Sequence, residues 1–391
     1  MPKEITMKRY RVAVIGTGYI GVVHIEQLLR LPGLEIAGVA DRDMGIARTT
    51  AARYGIPRVY DGAEEILQDD SIDVIHNCTP NNLHFEINSR AMEAGKHVFS
   101  EKPLALSAAE SGQLVQLAEK HDRVTGIGFC YRYYPVLQEA AARIARGDIG
   151  TIYNISGSYL QDWLLYATDY SWRLDPQMAG VSNIIGDLGS HWCDLAQFIS
   201  GLKIEEVMAD VRTTLPSRKR PKWGQVLTFS GTADTEYEEV SVELDEYGAM
   251  LLRFEGGARG TFTTSQLAAG RKCHIDIQIY GSEGSIAWNH ERPAELWMGH
   301  RNEANQIFFE SPLLQMESTR KYAKLPSGHP MGYMDAMLNL FSDFYTAITL
   351  KDAEQEPDYK YPAFRDGHAE MLVLEAALRS KKNGMWSSIQ S

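Results

Sequence analysis

Arg11-Val12-Ala13-Val14-Ile15-Gly16-Thr17-Gly18-Tyr19-Ile20-Gly21 is the stretch that decides the fold. Arg11–Ile15 reads as a short buried strand, and an apolar-periodic helix begins at Gly21. A second apolar run, Leu34–Ala40, ends at Asp41. Strand, glycine turn, helix, strand and acid in this order make a dinucleotide-binding arrangement. Gly16 allows the tight turn, Gly18 lets backbone N–H groups approach a pyrophosphate, and Gly21 lets helix and strand pack closely. Tyr19 and Ile20 complete the turn, and the helix N-terminus faces the phosphates with its partial positive charge. Asp41 is placed to hydrogen-bond a ribose 2′-hydroxyl, and its charge repels a 2′-phosphate, so NAD is expected. Arg42 keeps NADP open, because it could meet a 2′-phosphate or stack on adenine.

Outward from this motif, strand and helix patterns alternate. Strands are expected at Val59–Tyr60, Val74–Cys78, His97–Ser100 and Thr125–Phe129, with helices between them. This implies a doubly wound parallel α/β sheet over residues 1–130. Beyond it, residues 131–391 read as an α+β domain with an open, mostly antiparallel sheet. Its strands are expected at Thr151–Tyr159, Glu205–Thr214, Tyr237–Glu243, Ala249–Phe254, Gly260–Gln266, His274–Tyr280 and Ser285–Asn289. Helices are expected at Pro135–Arg146, Asp187–Ile199, Tyr333–Ile348 and His368–Ser380. Arg301–Ser327 is poorly patterned and reads as a long loop, a lid or an interface arm.

Composition narrows the class. The chain has 391 residues, 44% hydrophobic and 23% charged, which suits two globular domains. A net charge of −12 disfavours nucleic acid and anionic membranes as partners. The basic run Arg218-Lys219-Arg220-Pro221-Lys222 reads as a solvated loop. Cys78, Cys130, Cys193 and Cys273 form no CxxC pair, so neither a metal site nor a disulfide framework is expected. Met1–Tyr10 is polar and charged rather than a signal peptide, and a cytoplasmic location is expected.

Three further clusters could carry chemistry. Thr79-Pro80-Asn81-Asn82-Leu83-His84 follows a strand at the edge where such sheets bind ligands; it is either a cofactor contact or a plain turn. Glu101-Lys102-Pro103 follows the next strand, where Lys102 could steady a substrate oxygen or pass a proton, or be merely solvated, and Pro103 could have a cis bond. Asp187 and His191 are four residues apart and share a helical face. A carboxylate there would orient an imidazole acting as general base, unless the pair is a cap and a satisfied histidine.

Together the glycine turn, Thr79–His84, Glu101-Lys102-Pro103, Gly128–Pro135 and Asp187-Leu188-Gly189-Ser190-His191 resemble the glucose–fructose oxidoreductase/inositol dehydrogenase/MocA (Gfo/Idh/MocA) family across essentially the whole chain. The resemblance implies a Rossmann N-domain and a C-domain carrying the substrate helix and subunit contacts. It implies Lys102, Asp187 and His191 as the catalytic group. Where the family often shows Asn-Arg-Arg-Phe, this chain has Cys130-Tyr131-Arg132-Tyr133-Tyr134, so only Arg132 matches as a substrate contact.

The implied reaction is reversible oxidation of a secondary hydroxyl of a sugar, sugar derivative or cyclitol to a ketone. Gln161, Trp163, Arg173 and Asn183 are candidates for reading the substrate, with core packing the other role for the aromatics. A homodimer or homotetramer is expected. Competing readings are a glycosidase using transient oxidation by bound NAD, a sugar- or NAD-sensing regulator, and a structural partner subunit.

Overall fold

A computed structural model describes residues 9–222, 236–356 and 360–389. Most of the polar, charged stretch Met1–Tyr10 lies outside them. The chain forms two compact units, Met1–Cys130 with Tyr333–His368, and Tyr131–Gly332 with Ala369–Ser391.

The first unit is built on β1 (Tyr10–Ile15), β2 (Leu34–Ala40), β3 (Val74–Asn77), β4 (His97–Ser100) and β5 (Thr125–Ile127). They form one parallel sheet in the order β2-β1-β3-β4-β5. Helices α1 (Tyr19–Leu28), α2 (Met44–Tyr54), α3 (Ala63–Leu67), α4 (His84–Glu93) and α5 (Ala108–Lys120) connect them. Because β1 has β2 on one side and β3 on the other, the connections part at the carboxyl end of β1. Val59–Tyr60 is not a strand: it makes a single parallel bridge from Val59 to Val39. Pro57 before it lacks an N–H, and Asp61-Gly62 turns the chain away after it, so no ladder can extend.

The second unit contains α6 (Pro135–Arg146), β6 (Ile152–Leu160), α7 (Pro176–Ala179), α8 (Ser190–Ser200) and β7 (Ile204–Arg212). Strands β8 (Ser217–Pro221) and β9 (Tyr237–Ser241) pair as a separate two-stranded ribbon. Then come β10 (Tyr247–Phe254), β11 (Arg259–Ser265), β12 (His274–Gly281), β13 (Ser285–Asn289), β14 (Glu295–Gly299) and β15 (Gln306–Phe309). Helix α9 (Tyr333–Asp352) belongs to the first unit. Helix α10 (Phe364–Asn383) starts in the first and ends in the second, before β16 (Ser387–Ser388). The main sheet runs β15-β14-β13-β12-β6-β11-β10-β7-β16. All its pairs are antiparallel except β6 with β11.

Helix α8 covers one face of this sheet. Its Trp192 stacks on Phe262 at 4.6 Å and donates to the Asp276 carbonyl at 2.9 Å. A side chain at Gly157 would collide with that indole at 2.6 Å, so only glycine lets the helix come this close.

Three sequence expectations change here. Arg301–Ser327 is not structureless: β15 lies within it, with Phe308 buried and Ile307 and Phe309 exposed. Arg218 is not solvated but fully buried, paired with buried Glu246 at 2.6 Å and donating to the Tyr166 and Asp169 carbonyls. Tyr333–His368, assigned above to the second domain, clusters with the first unit. Phe341 and Phe344 of α9 pack on Phe99 of β4 at 4.9 and 5.3 Å.

Glu370 on α10 is buried, and burial with the nearby Asp194 charge pushes its carboxyl well up. The native state therefore holds its proton to higher pH than the unfolded chain does. From the ordinary carboxylate range, about pH 4, up to the raised value, stability falls as pH rises. Glu370→Gln keeps the acceptor for Gln197 Nε2 at 2.8 Å and removes this loss. Thermal melts should show the variant more stable than wild type by about 2 °C or more at pH 8, with the gap closing near pH 4.

Candidate active site

In the first unit the predicted cofactor residues meet at the carboxyl edge of the sheet. Gly16 has φ +91°, and a Cβ on it would stand 2.5 Å from the Cys78 carbonyl oxygen. A Cβ on Gly21 would stand 1.9 Å from the Gly16 carbonyl oxygen. The Gly16 N–H donates to the Ala40 carbonyl and the Cys78 N–H to the Ile15 carbonyl, both at 2.8 Å. These contacts bind the ends of β1, β2 and β3 around the turn.

Gly18 differs. It starts α1 with no side-chain cap, and an added Cβ would meet nothing within 4 Å. Open space before the first N–H groups of a helix fits a pyrophosphate. Tyr19 is exposed and Ile20 half-buried beside it.

Asp41 does more than the sequence reading assigned. Its Oδ2 accepts from the Thr17 N–H at 2.6 Å and the Thr17 hydroxyl at 3.0 Å, and its Oδ1 from the Asp43 N–H at 2.9 Å. The carboxylate thus clamps the glycine turn to the end of β2, while carboxylate oxygens have further lone pairs for a ribose. Arg42 is exposed.

Thr79, Pro80 and Asn81 lead into α4, with Thr79 Oγ1 donating to Asn77 Oδ1 at 2.6 Å. His84 is fully buried, its ring nitrogens 2.7 Å from the Pro103 carbonyl and 2.9 Å from the Thr79 carbonyl. It braces two loops, and burial lowers its proton affinity. Glu101 is buried against His24, Lys102 is half-buried, and the Lys102–Pro103 bond is cis. The sequence reading missed a buried amide chain. Asn77 Nδ2 donates to Asn88 Oδ1 and Asn88 Nδ2 to Ser100 Oγ, each at 2.9 Å, tying the ends of β3 and β4 to α4.

In the second unit Asp187 lies in a π-helical turn, Ile185–Gly189, which passes directly into α8 and so to His191. The wider winding has a visible anchor: Asp245, also missed, accepts from the Ile184 N–H at 2.7 Å and the Ser182 hydroxyl at 2.9 Å. Such turns recur at functional sites. Asn183 Nδ2 donates to Gln266 Oε1 at 2.5 Å, and Gln266 Nε2 to Asp187 Oδ2 at 3.3 Å. Arg173 Nε stands 3.5 Å from Asp187 Oδ1, with its guanidinium over Trp172.

His191 is 8% exposed, and Tyr131 meets its ring edge-on at 4.9 Å. Gln161 is buried and accepts from the Trp163 indole at 2.6 Å; Trp163 packs on the small core of Leu164, Leu174 and Val242. Arg132, expected to touch substrate, is buried in a bidentate pair with Asp194, with Nε 2.7 Å from Oδ2. Its charge is spent inside the protein because Asp194 itself is 2% exposed and needs a partner.

The family model described as "Oxidoreductase family, NAD-binding Rossmann fold" matches residues 10–129, and "GFO/IDH/MocA C-terminal domain" matches residues 137–287. The chain belongs to the Gfo/Idh/MocA oxidoreductase family. Among its relatives, levoglucosan dehydrogenase of Pseudarthrobacter phenanthrenivorans is 30% identical over 404 aligned residues, covering 98% of this chain and 99% of that protein. Myo-inositol 2-dehydrogenase of Thermotoga maritima is 27% identical over 277 residues, 71% of this chain and 74% of that one. A solved levoglucosan dehydrogenase in complex with NADH and levoglucosan superposes with a TM-score of 0.87 at 27% identity, covering 98% and 100% of the two chains. This Gfo/Idh/MocA member is thus an NAD(P)-dependent oxidoreductase whose first unit is the NAD-binding domain. No helix among its described residues is long and apolar enough to cross a membrane.

The two glycines separate binding from folding. Gly18→Ala should leave the melting temperature unchanged and weaken NAD+ binding about tenfold or more, measured by calorimetric titration. Gly21→Ala should destabilise the fold by about 1–3 kcal/mol or more, seen in denaturant melts without cofactor.

Proposed function

We propose that this protein oxidises a secondary hydroxyl of a sugar, sugar derivative or cyclitol to a ketone, reversibly. The observation that carries this reading is the Asn183–Gln266–Asp187 chain leading into the turn that bears His191. A buried amide with both ends engaged fixes a carboxylate one helical turn before an imidazole, an arrangement suited to a positioned general base.

In the proposed reaction His191 takes the hydroxyl proton. Asp187 orients His191 and stabilises the charge it gains. Lys102 donates to the substrate oxygen and stabilises the negative charge developing there. Bound nicotinamide supplies the hydride acceptor. Arg173, beside Asp187, and Gln161 with Trp163 are the proposed contacts for the sugar. Asp41 favours NAD over NADP by repelling a 2′-phosphate. The relatives acting on levoglucosan and myo-inositol make neutral sugars and cyclitols the first substrates to try.

The test is NADH formation with a panel of sugars, anhydrosugars and cyclitols. Wild type should turn over at least one. Lys102→Ala and His191→Ala should each lose about 10²–10⁴-fold in kcat while NAD+ affinity stays within about threefold. A wild type that binds NAD+ tightly and oxidises no member of the panel would defeat this reading in favour of a glycosidase or a sensor.

We also propose that the chain works as a homo-oligomer. Across the main sheet, Met208, Leu251, Ser156, Gln278, Trp297 and Ile307 fall in one row on the face opposite buried Val207, Leu252, Ile155 and Ile279. Met208, Leu251 and Ile307 are exposed toward the ends of this row, and exposed apolar side chains on one sheet face favour a covering partner. Light scattering should give a dimer or tetramer for wild type and a smaller species for Leu251→Glu.

A further inference from the structure

His24 joins three buried polar groups of the first unit, and no step above uses it. It lies on α1, three residues beyond Gly21, and is fully buried. Its Nε2 is 3.1 Å from Glu101 Oε1, and its Nδ1 is 2.9 Å from His76 Nδ1 and 3.2 Å from Cys78 Sγ. His76 Nε2 is in turn 2.9 Å from the Tyr345 hydroxyl. Phe99 and Phe341 close around the His24 ring at 5.5 and 4.8 Å.

With His24 neutral, the hydrogens in this chain fall into one consistent order. A carboxylate only accepts, so His24 Nε2 carries the hydrogen toward Glu101. A neutral His24 then accepts at Nδ1 from the His76 N–H, with the Cys78 thiol beside the same nitrogen. Burial disfavours charge on His76 and keeps the Cys78 thiol and the Tyr345 phenol protonated. His76, having given its Nδ1 hydrogen, accepts at Nε2 from Tyr345. Every hydrogen points one way, from Tyr345 through His76 and His24 to Glu101.

Glu101 is hemmed on its other side as well. A Cβ on Gly128 would stand 2.6 Å from Oε1, so the carboxylate occupies space that only glycine leaves open. Its Oε2 accepts from the Lys102 N–H at 3.3 Å. The carboxylate is therefore held by a ring from α1, and it holds the backbone amide of the residue that follows it.

We infer that His24 is a positioning residue for the reaction centre: the Tyr345–His76–His24 chain fixes the Glu101 carboxylate, and Glu101 fixes the backbone from which the Lys102 side chain departs. The link to catalysis rests on the role proposed above for Lys102.

Three variants test it. His24→Leu removes the donor to Glu101, His24→Gln replaces it with an amide donor, and Gly128→Ala pushes the carboxylate from the opposite side. Amide hydrogen exchange in the cofactor-free protein reads the backbone directly. The Lys102 amide should exchange about tenfold faster in His24→Leu and Gly128→Ala, and within about threefold of wild type in His24→Gln. With substrate, kcat should fall about tenfold in the same two variants, with KM and NAD+ affinity nearly unchanged, and His24→Gln should recover most of it.

Unchanged Lys102 exchange in folded His24→Leu would overturn the inference. So would equal losses in His24→Gln and His24→Leu, which would mark a role in packing alone. If His24→Leu fails to fold, Gly128→Ala decides in its place, with the same exchange result expected. Failure of wild type to oxidise any sugar or cyclitol would sink the dehydrogenase reading and leave the exchange result to judge the positioning chain by itself.

Discussion

The structure turns on a lack of room at Gly16 and Gly21. With an added Gly21 Cβ falling 1.9 Å from the Gly16 carbonyl oxygen, no larger residue can stand there without moving the helix from the strand. That closeness brings the start of α1 down onto the carboxyl ends of β1 and β3. It puts His24 within reach of Cys78 and Glu101, and leaves Gly18 facing open space. Cofactor binding and internal bracing thus share one short stretch of chain. Asp41 shows the same economy: a side chain read as a ligand for ribose also ties the turn to β2 through Thr17.

In the second unit the equivalent constraint is polar. The π-helical turn needs its first amides satisfied from outside the helix, and Asp245 does this at Ile184. Gln266 then bridges Asn183 and Asp187, so a strand end of the main sheet supports the carboxylate. A buried amide used at both ends has one orientation only, which is why such a group specifies geometry where an apolar residue would merely fill space.

Much of this was legible in the sequence. The glycine spacing, the apolar runs and Asp41 act over short distances, so they could be read together. The antiparallel strands declared themselves through period-two alternation, as in Ser285–Asn289, where Ile286 and Trp288 are buried. What escaped depends on partners far away in the chain. Arg218 looks like one of a basic run until Glu246 is brought beside it, and Arg132 like a ligand until Asp194 is. Asn88 and Gln266 carry no local sign that their amides are buried. Val59 has the residues of a strand but too little length between Pro57 and Gly62 to pair as one. The place of Tyr333–His368 could not be read from periodicity, which gives a helix its apolar face but not the surface that face will cover.

That last segment bears on how the protein is made. Phe99 and His76 stand on strands near the start of the chain, yet Phe341 and Phe344, which pack over them, follow some two hundred and forty residues later. At a ribosome adding about 5–20 residues per second, the nascent parallel sheet waits on the order of tens of seconds with that apolar face uncovered. The first unit cannot finish until Tyr333–His368 has emerged. Loss of Tyr333–His368 would therefore strike the nucleotide-binding half, although those residues follow the strands of the other half in sequence.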